Sequence, residues 1–428
     1  MIQGDRVQEF DLTVIGDGMA GTAAVLFALN RGLSVAWAGT GNPLSLASGC
    51  LDFLACHPLS ARKTWTDPWA AVEALTRDLP AHPYARLRRE EIEAAWDETL
   101  KCLNQGGLPY FRRPEKNIEV LTPMGNLRPT YALPETMRKG MEALEKGRPC
   151  LILKIEGLKG FSSQWLVEGL KERGWAVRAE RVDFPGLEGR RDLLPEHLAQ
   201  ALITTQNRTR LVERIQPLIK GVEMVGLPAV LDLYRHKETV AELEDRLGLP
   251  LFEIPTLPPS LPGLRLRQVF ERHFKKTGAC TLFPYRVIGM EKKGAVGFQV
   301  HFKEDAVKGP RSRGVVLAGG RFFGGGLMAE RKAIREPLLG LPVHQPLTRE
   351  GWHQRDYFDR TGHPVNRAGL LTDDHFRPLD AQGNPAFETL FAAGSILAHQ
   401  DWKREKSGSG LALATAYKAV QSFIERIK

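Results

Sequence analysis

The sequence predicts an α/β chain built on a βαβ unit of the nucleotide-binding type, with a second α/β domain inserted into the first. Three observations predict this. An apolar run from Phe10 to Ile15 enters Gly16-Asp17-Gly18-Met19-Ala20-Gly21, which fits G-x-G-x-x-G. Strand-like and helix-like stretches alternate again between residues 149 and 256. Two late apolar runs, Gly314 to Leu317 and Leu390 to Ala393, also enter glycine turns. Alternation of this kind is the mark of a parallel sheet covered by helices.

The first unit is the most informative. Phe10-Asp11-Leu12-Thr13-Val14-Ile15 reads as a short buried strand. The stretch MAGTAAVLFALNRG is rich in Ala and Leu, lacks proline and ends at Gly32, a helix-stop glycine. Leu33 to Ala38 reads as a second strand. In such a unit the first glycine permits the tight turn, the second lets backbone approach a phosphate, and the third lets helix and strand pack. The helix N-terminus offers N–H groups and partial positive charge to an anion. Gly16, Gly18, Met19, Ala20 and Gly21 are therefore expected to bind a cofactor. A dinucleotide fold usually carries Asp or Glu at the end of the second strand to hold the adenosine ribose. Here Trp37-Ala38-Gly39-Thr40-Gly41-Asn42 contains no acid. That omission tilts the expected ligand towards a mononucleotide such as FMN, with FAD as the alternative.

The next loop, Asn42 to Asp52, is dominated by small residues. Such residues let backbone come close to a ligand, and Ser45, Ser48 and Gly49 are added to the expected cofactor contacts. Asp52 is a candidate acid, hydrogen-bond partner or helix cap. Residues 68–106 read as helical, interrupted by His82-Pro83-Tyr84, with the histidine read as structural. Residues 107–135 hold prolines and short strand-like runs, including Thr122 to Arg128.

In the second region, Cys150–Ile155, Trp175–Ala179, Val225–Leu231 and Leu251–Ile254 read as strands. Helices are expected after Trp165, around 195–218 and at 238–247. The proline-rich stretch Ile254 to Pro262 marks a boundary. The expected domains are therefore 1–106 with 262–428, discontinuous, and 107–261 inserted between them. Beyond the boundary come an amphipathic helix near 263–277, a β-meander through Thr281–Met290 and Gly297–Phe302, and the strand ending at Ala318-Gly319-Gly320. Near the C-terminus, Leu390 to Ser395 is followed by Ser407-Gly408-Ser409-Gly410-Leu411 opening an Ala-rich helix. Gly319, Gly394, Ser395, Gly408, Gly410 and Leu411 complete the expected cofactor contacts.

Composition narrows the function classes. The chain has 428 residues, is 43% hydrophobic and carries a net charge of +9. No segment approaches the roughly 20 apolar residues that span a bilayer, and the N-terminus lacks the apolar run of a secretory signal. The expectation is a cytoplasmic protein that reaches a membrane, if at all, through partners. Basic residues are scattered and accompany no nucleic-acid motif, so nucleic acid is not an expected partner. The five cysteines form no C-x-x-C pair, which argues against a zinc, iron–sulfur or redox-disulfide site and leaves no expected metal.

Several motifs together resemble one family, the B subunits of anaerobic glycerol-3-phosphate dehydrogenase. They are GDGMAG, SGCLDFL at 48–54, AHPY at 81–84, TPMGNLRPT at 122–130, PTLPPS at 255–260, GLRL at 263–266, LAGGRFFGGGL at 317–327, REPLLGL at 335–341 and LFAAGS at 390–395. The resemblance runs nearly end to end. It implies a Rossmann-like FAD/NAD(P)-binding flavoprotein fold and FMN as cofactor. It also implies a FAD-containing A subunit and an iron–sulfur, membrane-attached C subunit as partners, at the inner face of the cell membrane. The implied reaction oxidises sn-glycerol 3-phosphate to dihydroxyacetone phosphate and passes electrons to a quinone. The chain departs from the family in having Ser407-Gly408-Ser409-Gly410 where a nearly pure glycine run is usual, after an unusually charged DWKREK segment. If the chain holds substrate, Arg128, Arg321 and Arg335 are candidate anion binders, with Asp52 or His399 as polar groups near the flavin. Alternatives are an NAD(P)H-dependent flavin reductase, for which no second three-glycine fingerprint is present, and a non-catalytic electron-relay or scaffold role in the same complex.

Overall fold

A computed structural model describes residues 8–41, 43–294, 297–304 and 308–428. Asn42, the last residue of the acid-free stretch, lies outside the described residues. The chain divides into two compact units. The first comprises Met1–Pro43, Asp52–Gly106 and Phe270–Lys428, and the second Leu44–Leu51 and Gly107–Val269. The segments 44–51 and 262–269, expected in the first domain, thus group with the second.

The first unit is organised by a seven-stranded sheet. Its parallel part runs Cys280–Leu282, Val35–Ala38, Glu9–Ile15 and Arg311–Leu317. Two strands share the outer side of Arg311–Leu317. Phe298–Phe302 pairs antiparallel with its beginning and Leu390–Ala392 parallel with its end. Val287–Lys292 pairs antiparallel with Phe298–Phe302.

Period-two alternation sorts the side chains. Ile15, Val315, Leu317, Leu390 and Ala392 belong to one buried cluster with Phe298, Val300, Leu327 and Trp352. Val14, Val316 and Phe391 are in register with one another, and Phe391 meets Phe423 of the last helix, Gly408–Ile427, edge to face at 6.3 Å. Both faces are therefore covered, which is why these strands read as continuous apolar runs. The first helix, Met19–Leu29, is buried along nearly its whole length, from Ala20 to Ala28. It carries no polar face because it has no wet side. Its end is a Schellman motif: Leu33 N–H bonds to Ala28 O at 3.1 Å and Gly32 N–H to Leu29 O at 3.0 Å, with Gly32 at φ +75°.

One expected element is corrected. The segment read as the opening of a meander is split. Cys280–Leu282 joins the parallel sheet beside Val35–Ala38, and only Val287–Lys292 and Phe298–Phe302 form the antiparallel pair. Pro284, joined to Phe283 by a cis bond, follows the strand at once, so the strand ends at Leu282 and does not run on into Val287–Lys292. Phe274 of the helix Leu261–Thr277 packs edge-on against Trp37 at 5.2 Å.

The second unit contains a four-stranded parallel sheet in the order Leu251–Ile254, Met224–Pro228, Cys150–Ile155 and Val177–Val182. Helices Glu135–Glu145, Ser163–Lys171, Thr205–Ile215 and His236–Leu247 accompany it. Its core holds a buried ion pair. Arg265 grips Glu253 with two hydrogen bonds, at 2.6 and 2.9 Å, and donates to Leu231 O at 2.6 Å. Thr136 and the Leu231 N–H also donate to that carboxylate. Burial raises the carboxyl's pKa, but Arg265, Thr136 and His236 together outweigh it, so the net shift is downward. Removing either partner would leave an uncompensated buried charge.

Candidate functional site

The three glycine turns that end parallel strands come together in the first unit. Gly16 has φ +125°, accessible to glycine, and a Cβ there would strike the Ala318 carbonyl. Its N–H bonds to Ala38 O at 2.8 Å, and its carbonyl accepts from the Trp37 indole at 2.9 Å. A Cβ at Gly21 would run into the Gly16 carbonyl, so this third glycine sets the helix against the strand. Gly18 differs from both. A Cβ there would meet only Pro43 Cγ, at 4.0 Å.

Gly18 is also the N-cap of the first helix. Gly18 has no side chain to cap that end, and the first turn holds no acid. Its leading N–H groups thus face the open side of the turn, with the partial positive charge of the helix terminus behind them. The second turn abuts the first, with Ala318 N–H bonded to Ile15 O at 2.8 Å. The third is tied to both. Ala393 N–H bonds to Leu317 O at 3.0 Å, and a Cβ on Gly394, at φ +77°, would sit 2.5 Å from Ala20 Cβ. Ser395 Oγ lies 3.4 Å from where a Gly320 Cβ would be. These turns lie at the carboxyl ends of the parallel strands, where open α/β sheets bind ligands.

Other expected cofactor residues have different surroundings. Gly408 and Gly410 lie in the first turn of the last helix, not in a loop before it. A Cβ on Gly408 would meet the Trp402 ring, and one on Gly410 would meet Tyr84 Oη at 2.6 Å and Phe53. Gly410 N–H bonds to Asp52 O at 2.7 Å, and Leu411 is buried. Packing alone requires that both be glycine. Ser45, Ser48 and Gly49 belong to the second unit. There the Ser45 carbonyl accepts from Ser260 N–H, Ser48 Oγ accepts from Cys50 N–H, and the Gly49 carbonyl accepts from Tyr110 Oη at 2.7 Å.

The candidate anion binders separate as clearly. Arg335 is exposed and paired with Glu330 at 3.1 Å. Arg128 lies in the second unit on the hairpin formed by Ile118–Leu121 and Leu127–Thr130. Arg321 donates to three backbone carbonyls, those of Ser395, Asn366 and Gln400. It clamps segment 395–400 to segment 366–367 and acts as an organiser of the backbone.

What the clamp holds is a cationic cluster. His399 sits at φ +65°, and its N–H bonds to Arg367 O at 3.0 Å. Its ring lies 4.2 Å from that of His344, centre to centre. Burial first, then His344, Arg86, His82 and Arg367, push the His399 pKa down to about 4. His399 is therefore held as a neutral imidazole near pH 7. Only His399 in this cluster was expected from sequence. Arg86 ends the short helix Pro83–Arg86 and pairs with Asp374 at 3.6 Å, His344 lies in the strand Val343–His344, and Arg367 ends the short helix Pro364–Arg367; no local motif marks them.

The charged DWKREK segment is anchored from within. Glu405 is buried, lies 3.3 Å from His82 Nε2, and accepts from Ser407 Oγ at 3.0 Å and Asp401 N–H at 2.8 Å. Burial raises its carboxyl pKa, but these partners outweigh that and hold it below the usual range. Among the described residues, no group of three or more His, Cys, Asp or Glu side chains could hold a metal ion, and no helix is long and apolar enough to cross a membrane.

Residues 11–411 match the model of a protein family described as an FAD binding domain. The chain belongs to that family. Its cofactor is thereby a flavin, and the three turns fit one on a structural test: the second glycine leaves open the space that a phosphate needs, while the first and third are closed by backbone. The B subunit of the anaerobic glycerol-3-phosphate dehydrogenase of Pectobacterium atrosepticum is 29% identical over 423 residues, covering 97% of this chain and 99% of that one. The corresponding B subunit of Vibrio cholerae is 28% identical over 428 residues, covering 98% and 97%. These relatives carry the name to which the motifs pointed. Among solved structures, 3-ketosteroid Δ1-dehydrogenase from Sterolibacterium denitrificans aligns over 98% of this chain and 100% of its own, at 12% identity and a TM-score of 0.44.

Proposed function

We propose that this chain is the FAD-bearing B subunit of a glycerol-3-phosphate dehydrogenase that oxidises sn-glycerol 3-phosphate to dihydroxyacetone phosphate and delivers the electrons to a quinone. The observation that carries the reading is the likeness to named B subunits along nearly the full length of both chains, joined to the intact three-turn crevice. FAD is preferred over FMN because the family's own description names it. The proposed partners are a FAD-containing A subunit and an iron–sulfur, membrane-attached C subunit, at the cytoplasmic face of the membrane.

Bound flavin supplies the hydride acceptor, and the rest falls to side chains. Gly18 and the first-helix N–H groups hold phosphate oxygens. The cluster of Arg86, Arg367 and His344 suits the substrate phosphate, since guanidinium groups bind phosphate oxygens in pairs. Phosphate bound by the two arginines offsets part of the charge that depresses His399, and the neutral imidazole then takes the C2 hydroxyl proton as the hydride leaves. Arg321 positions His399 and Arg367 through the backbone.

The test is anaerobic addition of sn-glycerol 3-phosphate to the flavin-loaded chain. Bleaching of the flavin is expected, with His399→Ala slowing it about 100-fold, the lower end of what a positioned base contributes. Bleaching by NADH at a competent rate, with none by glycerol 3-phosphate, would overturn the proposal in favour of a reductase. Bleaching only after the partner subunits are added would make the chain an electron relay and overturn the catalytic role of His399.

A further inference from the structure

The second strand ends without the acid that dinucleotide folds use to hold the adenosine ribose, and yet the family is one that binds FAD. The structure holds a carboxylate at that place all the same. It comes from inside the glycine turn. Asp17 Oδ2 accepts from Gly41 N–H at 3.0 Å. A Cβ built on Gly39, the first residue past the second strand, would lie 2.7 Å from both Cβ and Cγ of Asp17. It would also lie 2.6 Å from the Phe283 ring. The volume that a side chain at the strand end would fill is thus taken by Asp17 and Phe283. Gly39 is glycine because that space belongs to others.

The direction of the side chain matters as much as its place. An acid within a phosphate-binding turn would repel the phosphates if it faced them. The Asp17 carboxylate is turned back to the loop after the second strand, beside Gly39 and Gly41. That is the side on which the conventional acid receives ribose hydroxyls. An ionised carboxylate offers about four acceptor positions, so a bond from the Gly41 N–H is compatible with further bonds from a vicinal diol.

We propose that Asp17 replaces the missing strand-end acid and makes the site selective for an adenosine-bearing flavin. This rests on the FAD reading above. FMN ends at its phosphate and has no second ribose, so the carboxylate gives it nothing. FAD presents the 2′- and 3′-hydroxyls of its adenosine ribose and gains charge-assisted hydrogen bonds. The specificity-determining residue is thereby moved upstream, from the strand end to the turn.

The experiment titrates FAD and FMN separately into flavin-free full-length chain, following the quenching of flavin fluorescence. Wild type is compared with Asp17→Asn and Asp17→Ala. Asn retains an acceptor for the Gly41 N–H and removes the charge. Both variants are expected to bind FAD at least about tenfold more weakly while FMN affinity changes less than about twofold. Retained FMN binding shows that the turn is still folded. Two results would overturn the inference while leaving the FAD reading intact: unchanged FAD affinity in both variants, or an equal fall for FAD and FMN, which would make Asp17 a loop staple only. Wild type binding FMN as tightly as FAD would overturn it as well. Failure of wild type to take up either flavin would remove the functional reading together with the inference.

Discussion

Two glycine-rich stretches open helices in this chain, and their surroundings differ. At Gly16–Gly21 the middle glycine faces open space, while its neighbours are closed by backbone. At Ser407–Gly410 both glycines are closed, one by the Trp402 ring and the other by Tyr84 and Phe53. In sequence the two stretches have similar composition. What a Cβ would meet at each glycine depends on residues far away in the chain.

The contrast can be broken by filling each glycine in turn. The largest effect is expected at Gly410. Gly410→Leu forces a side chain into Tyr84, Phe53 and the Phe53 backbone, so it should cost about 3 kcal/mol of stability, near the upper range for overpacking. Flavin affinity of the protein that remains folded should be unchanged. Chemical denaturation with a parallel flavin titration checks both halves. A loss of flavin binding without a loss of stability would return Gly410 to the cofactor site.

Gly18→Val should show the reverse. The backbone there, φ −78° and ψ −174°, is open to any residue, and no atom blocks the new side chain. Stability should fall by only about 1 kcal/mol, the cost of an apolar N-cap. Flavin affinity should fall at least about tenfold, equal to about 1.4 kcal/mol, because a branched side chain occupies the phosphate's approach. Equal affinity would mean that the phosphate is held elsewhere.

The smallest shift is expected on acidification, and it sharpens the account of the Ser407–Gly410 region. Glu405 anchors that region with a carboxyl held below its ordinary value of 4.5. A depressed folded-state pKa stabilises the native state above the unfolded-state value, and that contribution is lost as pH falls through the folded-state value. Wild type should therefore lose stability over this acid window relative to Glu405→Gln, whose amide does not titrate. Melting temperatures of the two proteins from pH 7 downward should converge. Parallel curves would show that Glu405 does not carry the anchoring charge.

The same lesson measures what the sequence could reveal. The first βαβ unit was legible because all its signals are local: an apolar strand, three glycines in register, and a helix stopped at Gly32. The four-strand sheet of the second unit was legible for the same reason. The place of Cys280–Leu282 was not, because its partner Val35–Ala38 is a strand far upstream in the chain. The site divides along the same line. Gly16, Gly18, Gly21, Gly319 and Gly394 stand at turns that the strands bring together. His344, Arg86 and Arg367 carry no motif and meet His399 only through tertiary folding. Asp17 was visible as a residue but not as the ribose acid, since its role depends on which way a turn side chain points.

The central claim, that the three-turn crevice holds FAD, is tested most directly by the purified chain itself. Its visible spectrum should show a bound flavin, or acquire one on reconstitution, and denaturation followed by chromatography should release FAD. Release of FMN in its place would contradict the assignment of the nucleotide and of Asp17. A colourless protein that takes up neither FAD nor FMN would contradict the account as a whole.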